Sequence, residues 1–387
     1  VKILWVSDHP ALRFVGQSRV TREICLRLAV THDVYVLGYC PPALELPAEK
    51  FPFVVERCVR GDVAALENAI KKYEPDHVVL SHDCWLFPFL PQLKSKLPNV
   101  SFVGYFTIDG EPFNPRWAAI AYACDAVLVP SQYGVEVLKD TCPDVFTCYA
   151  PYGVSCDFYK RRENRQLKIG NYTIKVPEFV VTYYGHNQSK KNIGNALLGW
   201  EKFTQGKPNC LFVLVVHTTT IQQGKKNIRH GYDLMLYTYI ANLLVLETVA
   251  TDEQLSQLLS VSDSLLFPSL GEGFGLPPLE AMACGCVPIV SNYASTKDYC
   301  SVSNSLLLDW VPMVGEKDVV RAIVPPDEIA KALEYRYKIR GSEQEKQMIE
   351  NGYKAASSYT WAKTTSTLIK VLEEAKQLSR INYIARY

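Results

Sequence analysis

Phe267-Pro268-Ser269-Leu270-Gly271-Glu272-Gly273-Phe274-Gly275-Leu276-Pro277-Pro278-Leu279-Glu280-Ala281-Met282-Ala283-Cys284-Gly285 is the most informative stretch of this chain. The short apolar run Ser264-Leu265-Leu266-Phe267 leads into it and reads as the end of a buried strand. Pro268 and the glycines break regular structure. Pro277 and Pro278 suit the first turn of a helix, where a missing N–H costs nothing. Leu279, Met282 and Ala283 give that helix an apolar face, and Gly285 is its stop. The spacing predicts strand, glycine loop, helix. In an open α/β sheet such a loop lies outside the carboxyl end of a strand, where ligands bind.

The chemistry of the turn points to a sugar nucleotide. Gly273 and Gly275 allow close backbone approach and offer amides at a helix N-terminus, an anion site. Glu272 lies in the loop, and Glu280 follows eight residues later in the helix. Carboxylates only accept hydrogen bonds, so they suit the hydroxyls of a sugar. The plainer alternatives are a solvated loop charge at Glu272 and a helix-dipole charge at Glu280.

Pro268-Ser269, Glu272-Gly273-Phe274-Gly275-Leu276-Pro277 and Glu280-Ala281-Met282-Ala283-Cys284-Gly285 together resemble the E-x7-E signature of retaining glycosyltransferases of family 4, the mannosyltransferase and glycogen-synthase type. The resemblance implies an α/β chain of GT-B fold. That fold has two facing Rossmann-like domains with parallel sheets and a C-terminal helix crossing back to the first domain. It assigns Glu272, Gly273, Phe274, Gly275, Leu276 and Glu280 to the donor.

The 387 residues are enough for two domains, and 48% hydrophobic content is ordinary for globular cores. A net charge of +1 gives no global basic field for nucleic acid or acidic lipid. No apolar run reaches transmembrane length. The opening Val1-Lys2-Ile3-Leu4-Trp5-Val6 is too short for a signal peptide and reads as a first strand. The twelve cysteines are scattered, which argues against a zinc site and for buried thiols in a reducing compartment. A disulfide among Cys142, Cys148 and Cys156 stays open.

Outward from the central turn, strand and helix patterns alternate. Strands are expected at 2–7, 33–39, 77–81, 100–106 and 126–130, with helices at 18–28, capped by Ser18, and 64–73. A parallel sheet with right-handed crossovers follows. The second half opens with a strand at 179–184. Further strands are expected at 211–217, 244–247 and 287–291, and helices from Thr251, at 326–337 and at 343–359. The domains are expected at 1–170, 171–360 and 361–387, the last packing on the first domain. Lys160-Arg161-Arg162-Glu163-Asn164-Arg165 reads as an exposed linker, or as an acceptor or phosphate patch.

The family resemblance extends to other segments. Gly16 stands in the first strand-to-helix loop, where the family brings a glycine to the donor diphosphate; the usual glycine pair is absent. Asp109 stands after the fourth strand, where a histidine is common, and is expected to take a sugar hydroxyl or the acceptor proton. An Asp-Gly turn is the alternative. His82, beside Asp83, is a second candidate. Pro130-Ser131-Gln132-Tyr133-Gly134, Tyr152-Gly153-Val154-Ser155-Cys156-Asp157-Phe158 and Thr360-Trp361-Ala362-Lys363 also match family turns. In Gly185-His186-Asn187-Gln188-Ser189-Lys190-Lys191-Asn192-Ile193 the last basic residue, Lys191, is expected at the diphosphate, with His186 and Lys190 beside it. The loop Glu247, Thr248, Val249 and Ala250 is expected to hold the nucleobase through its backbone.

The expectation is a retaining, metal-independent glycosyltransferase with no cofactor. It would move a sugar from a nucleoside-diphosphate sugar to a hydroxyl on a glycan, lipid or other molecule. Asp109, Lys191 and Glu272 are the expected catalytic residues. GDP-mannose is the first choice of donor, with UDP- and ADP-sugars open. A cytoplasmic location is expected, with peripheral membrane contact open. Two other classes remain: a DNA-modifying transferase acting on a hydroxylated base, and an inactive nucleotide-sugar-binding protein. The near-neutral charge disfavours nucleic acid.

Overall fold

The computed structural model describes residues 1–12, 15–161, 166–169, 172–217, 221–222, 225–226, 239–246, 251–315 and 318–384. The chain divides into two compact units. Val1–Gly153, Glu316–Val319 and Thr360–Tyr387 form the first, and Val154–Gly315 with Val320–Tyr359 the second. The first unit thus ends short of the expected boundary at 170.

The first unit runs β1 (Lys2–Asp8), α1 (Gly16–Leu28), β2 (Asp33–Tyr39), β3 (Val54–Cys58), α2 (Val63–Tyr73), β4 (His77–Asp83), α3 (Leu90–Lys96), β5 (Ser101–Thr107), α4 (Ala118–Tyr122), β6 (Ala126–Val129), α5 (Gln132–Thr141) and β7 (Thr147–Tyr149). The strands form one sheet, ordered β3-β2-β1-β4-β5-β6-β7, with every pair parallel. Central strands of such a sheet bury both faces, which is why Ile3, Leu4, Trp5 and Val6 are all apolar and buried. Ser18 is not the cap of α1. The helix starts at Gly16, and the buried Ser18 hydroxyl lies 2.6 Å from the His9 carbonyl and 2.7 Å from that of Leu12. It anchors the β1–α1 loop instead. Ser131 does cap α5, accepting the Gly134 amide at 3.0 Å.

The first strands of the second unit are the antiparallel hairpin β8 (Gln166–Ile169) and β9 (Tyr172–Lys175), and of the linker expected at 160–165, residues 162–165 lie outside the described residues. It continues with β10 (Phe179–His186), α6 (Ile193–Thr204), β11 (Cys210–His217), the short pair β12 (Ile221–Gln222) and β13 (Lys225–Lys226), β14 (Leu243–Leu246), α7 (Asp252–Val261), β15 (Ser264–Phe267), α8 (Leu276–Ala283), β16 (Val287–Ser291), β17 (Leu306–Leu308), the hairpin β18 (Val311–Val314) and β19 (Val320–Ile323), α9 (Pro326–Lys338) and α10 (Glu343–Ser358). Its main sheet is ordered β14-β11-β10-β15-β16-β17 and is again parallel throughout. The expected helix start at Thr251 is a complete capping box with Gln254.

The closing helix α11 (Trp361–Ile384) belongs to the first unit, where it packs on α1 and buries Leu368, Val371, Leu372 and Ala375. Trp361 stacks on Tyr152, with centroids 6.1 Å apart. A Cβ at Gly153 would stand 2.2 Å from the Trp361 nitrogen, so this turn requires glycine. All twelve cysteines are free thiols, Cys142, Cys148 and Cys156 among them. No helix among the described residues is long and apolar enough to cross a membrane.

Candidate functional site

In the second unit, sheet order brings distant residues together. β10 lies beside β15, so the loops leaving their carboxyl ends are neighbours. After β10 the chain makes a tight turn, Ser189–Lys191, and enters α6 through Asn192 in the left-handed region, φ 56°. The Asn192 side chain donates to the Val324 carbonyl at 3.0 Å and holds that turn. The Leu270 amide then donates to the Lys190 carbonyl at 2.8 Å, joining the two loops. Lys191 and Glu272, 81 positions apart, form an ion pair there, each side chain 12% exposed. The Lys191 ammonium also lies 5.3 Å from the centre of the Phe267 ring.

The glycine loop is held from one side. Ser295 Oγ lies 2.6 Å from the Glu272 carbonyl and 2.9 Å from the Phe274 carbonyl. Tyr299 Oη lies 2.8 Å from the Phe274 carbonyl and 2.5 Å from that of Gly275. In a planar trans peptide the N–H opposes the C=O. Carbonyls pinned toward Ser295 and Tyr299 therefore aim the Gly273, Gly275 and Leu276 amides the other way, at the start of α8. Phe274 itself is buried against Tyr299 and Tyr359, so its ring anchors the loop. Leu276 is buried too. Glu280, the fifth residue of α8, is 1% exposed and accepts the Tyr184 hydroxyl. His186 ends β10, half-buried, and Lys190 precedes Lys191 in the turn.

Gly275 caps α8 at φ 83°, a backbone region that disfavours side chains, and a Cβ there would meet Tyr299 Oη at 2.9 Å. Gly275→Ala is expected to cost about 1–3 kcal/mol of stability. Denaturant unfolding checks this, and an unchanged midpoint would contradict it.

In the first unit the carboxyl ends of β1, β4 and β5 gather a second set of polar groups. Asp8, 2% exposed, pairs with Arg60 at 2.8 Å and lies 3.5 Å from His82 Nε2. The Asp83 amide donates to His82 Nδ1 at 2.8 Å, so the ring proton sits on Nε2, facing Asp8. The Asp83 carboxylate accepts from the Thr107 hydroxyl at 2.5 Å. Burial pushes the Asp8 carboxyl up, but His82 and the Arg60 guanidinium outweigh it and hold the pKa at about 2. An unfolded aspartate titrates near 3.9. The depressed value therefore adds stability that is complete above about pH 4 and is lost as pH falls through about 2, on the order of 2 kcal/mol. Acid titration of unfolding free energy should show this dependence weakened in Asp8→Asn; identical profiles would contradict it.

Asp109 is half-buried on the loop after β5. Gly16 opens α1 with open space where a Cβ would stand. Glu247, Thr248, Val249 and Ala250 lie outside the described residues. Sequence reading did not single out Asp8 or Arg60. The signal was an acid closing the apolar strand β1, which the sheet order sets beside β4. Among the described residues no group of three or more His, Cys, Asp or Glu is placed to hold a metal ion.

Residues 164–355 match the family described as Glycosyl transferases group 1. A curated relative, the serotype-specific mannosyltransferase WbdA of Escherichia coli, is 48% identical over 52 residues, 13% of this chain and 6% of the relative. Sucrose-phosphate synthase from Thermosynechococcus elongatus superposes with a TM-score of 0.77 at 16% identity, covering 96% of this chain and 98% of the other. Anabaena HepE in complex with UDP and glucose gives 0.72 at 14% identity, over 96% and 99%. A glycosyltransferase from Rickettsia africae gives 0.68 at 15%, over 97% and 98%. These likenesses show the GT-B fold for the chain, and residues 164–355 match the Glycosyl transferases group 1 family.

Proposed function

We propose that this chain is a retaining glycosyltransferase that moves a sugar from a nucleoside-diphosphate sugar to an acceptor hydroxyl on a glycan, lipid or other molecule. The observation that carries this reading is the Lys191–Glu272 pair beside the pinned glycine loop at the carboxyl edge of the second sheet. Donor binding replaces the ion pair. Lys191 turns to the diphosphate with the Gly273, Gly275 and Leu276 amides, and His186 and Lys190 flank it. Glu272 accepts from hydroxyls of the transferred sugar, and Glu280 from the ribose.

The bond from the anomeric carbon to the diphosphate oxygen breaks while the acceptor oxygen bonds on the same face. The acceptor proton passes to the leaving phosphate. The diphosphate gains charge in that step, so a fixed cation and preorganised amides act most strongly in the transition state. This assignment routes no step through a metal ion or cofactor. Asp109 and His82, at the carboxyl edge of the first sheet, are assigned to sugar or acceptor hydroxyls.

GDP-mannose is the first donor in this reading, supported by the mannosyltransferase name of the curated relative. The UDP and UDP-glucose complexes of HepE support the wider class of donors. Twelve free thiols support a reducing, cytoplasmic setting. The test is incubation with GDP-mannose, UDP-glucose or ADP-glucose and simple hexoses, followed by NMR. One donor should be consumed, giving nucleoside diphosphate and an α-linked product. A β-linked product would exclude retention. Failure of every donor to react or to raise the melting temperature would exclude the reading.

A further inference from the structure

One hydrogen bond in the second unit ties a central strand of its sheet to the helix that follows the glycine loop. Side chains alternate along β10, so successive residues face opposite layers. Phe179, Val181 and Tyr183 enter the apolar core with Ile193, Leu197 and Trp200 of α6. Thr182 and Tyr184 face the other layer. The Thr182 hydroxyl lies 2.7 Å from that of Ser262, the residue after α7. Further along the same face, the Tyr184 hydroxyl donates to the Glu280 carboxylate on α8. Both residues belong to the second unit, and both are buried, Glu280 almost wholly.

Packing alone does not explain this pair. A phenol and a carboxylate both lose water on burial, and their mutual hydrogen bond only offsets that loss. Two apolar side chains of the same shape would fill the space at little or no cost. A carboxylate held by a donor has another use at this place. Glu280 follows Leu276 by four residues, so the two share one face of α8, about 6 Å apart along its axis. Leu276 opens the helix, where the backbone amides form the candidate phosphate site. A carboxylate one turn further on lies within reach of a ribose attached to those phosphates.

An ionised carboxylate accepts about four hydrogen bonds, so a bond from Tyr184 and bonds from ligand hydroxyls are compatible. Because so little of Glu280 meets solvent, a small rotation of its carboxyl would withdraw it from a ligand. The bond from Tyr184 opposes that rotation.

We infer that Tyr184 is a positioning residue: its hydroxyl fixes the Glu280 carboxylate for the ribose, and the pair selects ribonucleoside diphosphates over forms without the ribose hydroxyls. The inference rests on the donor reading and adds to it a residue and a selectivity. Without the Tyr184 hydroxyl, Glu280 keeps its place on the helix but loses its fixed orientation. The loss should appear only with ligands whose hydroxyls Glu280 meets.

Calorimetry on the full chain tests this, with GDP, UDP and ADP and the 2′,3′-dideoxy form of each. On the wild-type chain the best-bound nucleotide should lose about tenfold or more in affinity without its ribose hydroxyls, because a site built to bond a hydroxyl rejects the analogue lacking it. Tyr184→Phe should weaken the ribonucleotide about tenfold and leave the dideoxynucleotide within about twofold of its wild-type affinity, the size of one hydrogen bond to a charged group. A role in packing alone would weaken both forms equally. If Tyr184→Phe does not fold, Glu280→Gln is compared with the paired variant Tyr184→Phe/Glu280→Gln, which buries no carboxylate at that position. Tyr184 acts through Glu280, so its removal there should cost less than about twofold. Equal loss for both nucleotide forms, wild-type ribonucleotide affinity in folded Tyr184→Phe, or a fully additive loss in the paired variant would overturn the inference. A wild-type chain binding ribo- and dideoxynucleotide alike would overturn it too, while leaving the donor reading in place. A wild-type chain binding no nucleotide would remove both.

Discussion

Lys191→Ala is expected to lower kcat/KM by about 2–4 kcal/mol, the size of losing one preorganised electrostatic contact. That is on the order of 30- to 1,000-fold. The loss should divide between donor affinity and kcat. Lys191 meets the diphosphate in the ground state but meets more charge as the bond breaks. Its removal also takes the ion-pair partner from Glu272, so the melting temperature must be recorded beside the kinetics. Lys191→Arg keeps the charge but presents a planar fork in place of a point charge, and should recover only part of the rate. A folded alanine variant turning over at the wild-type rate would remove Lys191 from the site.

The two glutamates should fail differently. Glu280 is assigned to the ribose, which free nucleotide and donor share, so Glu280→Gln should weaken both. Glu272 is assigned to the transferred sugar. Glu272→Ala should leave nucleoside diphosphate affinity near wild type while transfer falls by about 2–4 kcal/mol. Glutamine suits Glu280 because the position is 1% exposed and accepts the Tyr184 hydroxyl. Alanine would leave that hydroxyl buried without its acceptor, a cost of about 1–3 kcal/mol unrelated to binding. Calorimetry with nucleotide and steady-state kinetics on both variants decide the point. Equal loss of nucleotide affinity would show the two roles to be misassigned.

Much of the scaffold was legible because parallel strands are written as apolar runs. β2, β15 and β16 fall where the sequence placed them, and β1 and β6 differ by one residue at one end. The Pro277-Pro278 start and the Gly285 stop of α8 were legible from proline and glycine chemistry alone. Short edge elements were not. β3 has five residues, two of them charged, and α3 is under two turns, so neither gives a clear period.

The candidate site was legible as residue types and not as contacts. Lys191 meets Glu272 because β10 and β15 are neighbours in the sheet, a fact of strand order that no local pattern carries. Ser295 and Tyr299 pin the glycine loop from a segment that sequence reading left without a role. Asp8 was passed over for the same reason. Its partners His82 and Arg60 come from two other strand ends, and only the sheet order makes them adjacent.

The central claim is that a nucleoside-diphosphate sugar binds at the carboxyl edge of the second sheet, on the Lys191 turn and the glycine loop. Hydrogen exchange on the full chain, with and without a saturating donor, tests this most directly. Amides at 186–193 and 271–280 should gain the strongest protection, because the bound phosphates hydrogen-bond the loop and order both turns. Protection absent from those segments, with a donor shown to be bound, would contradict it.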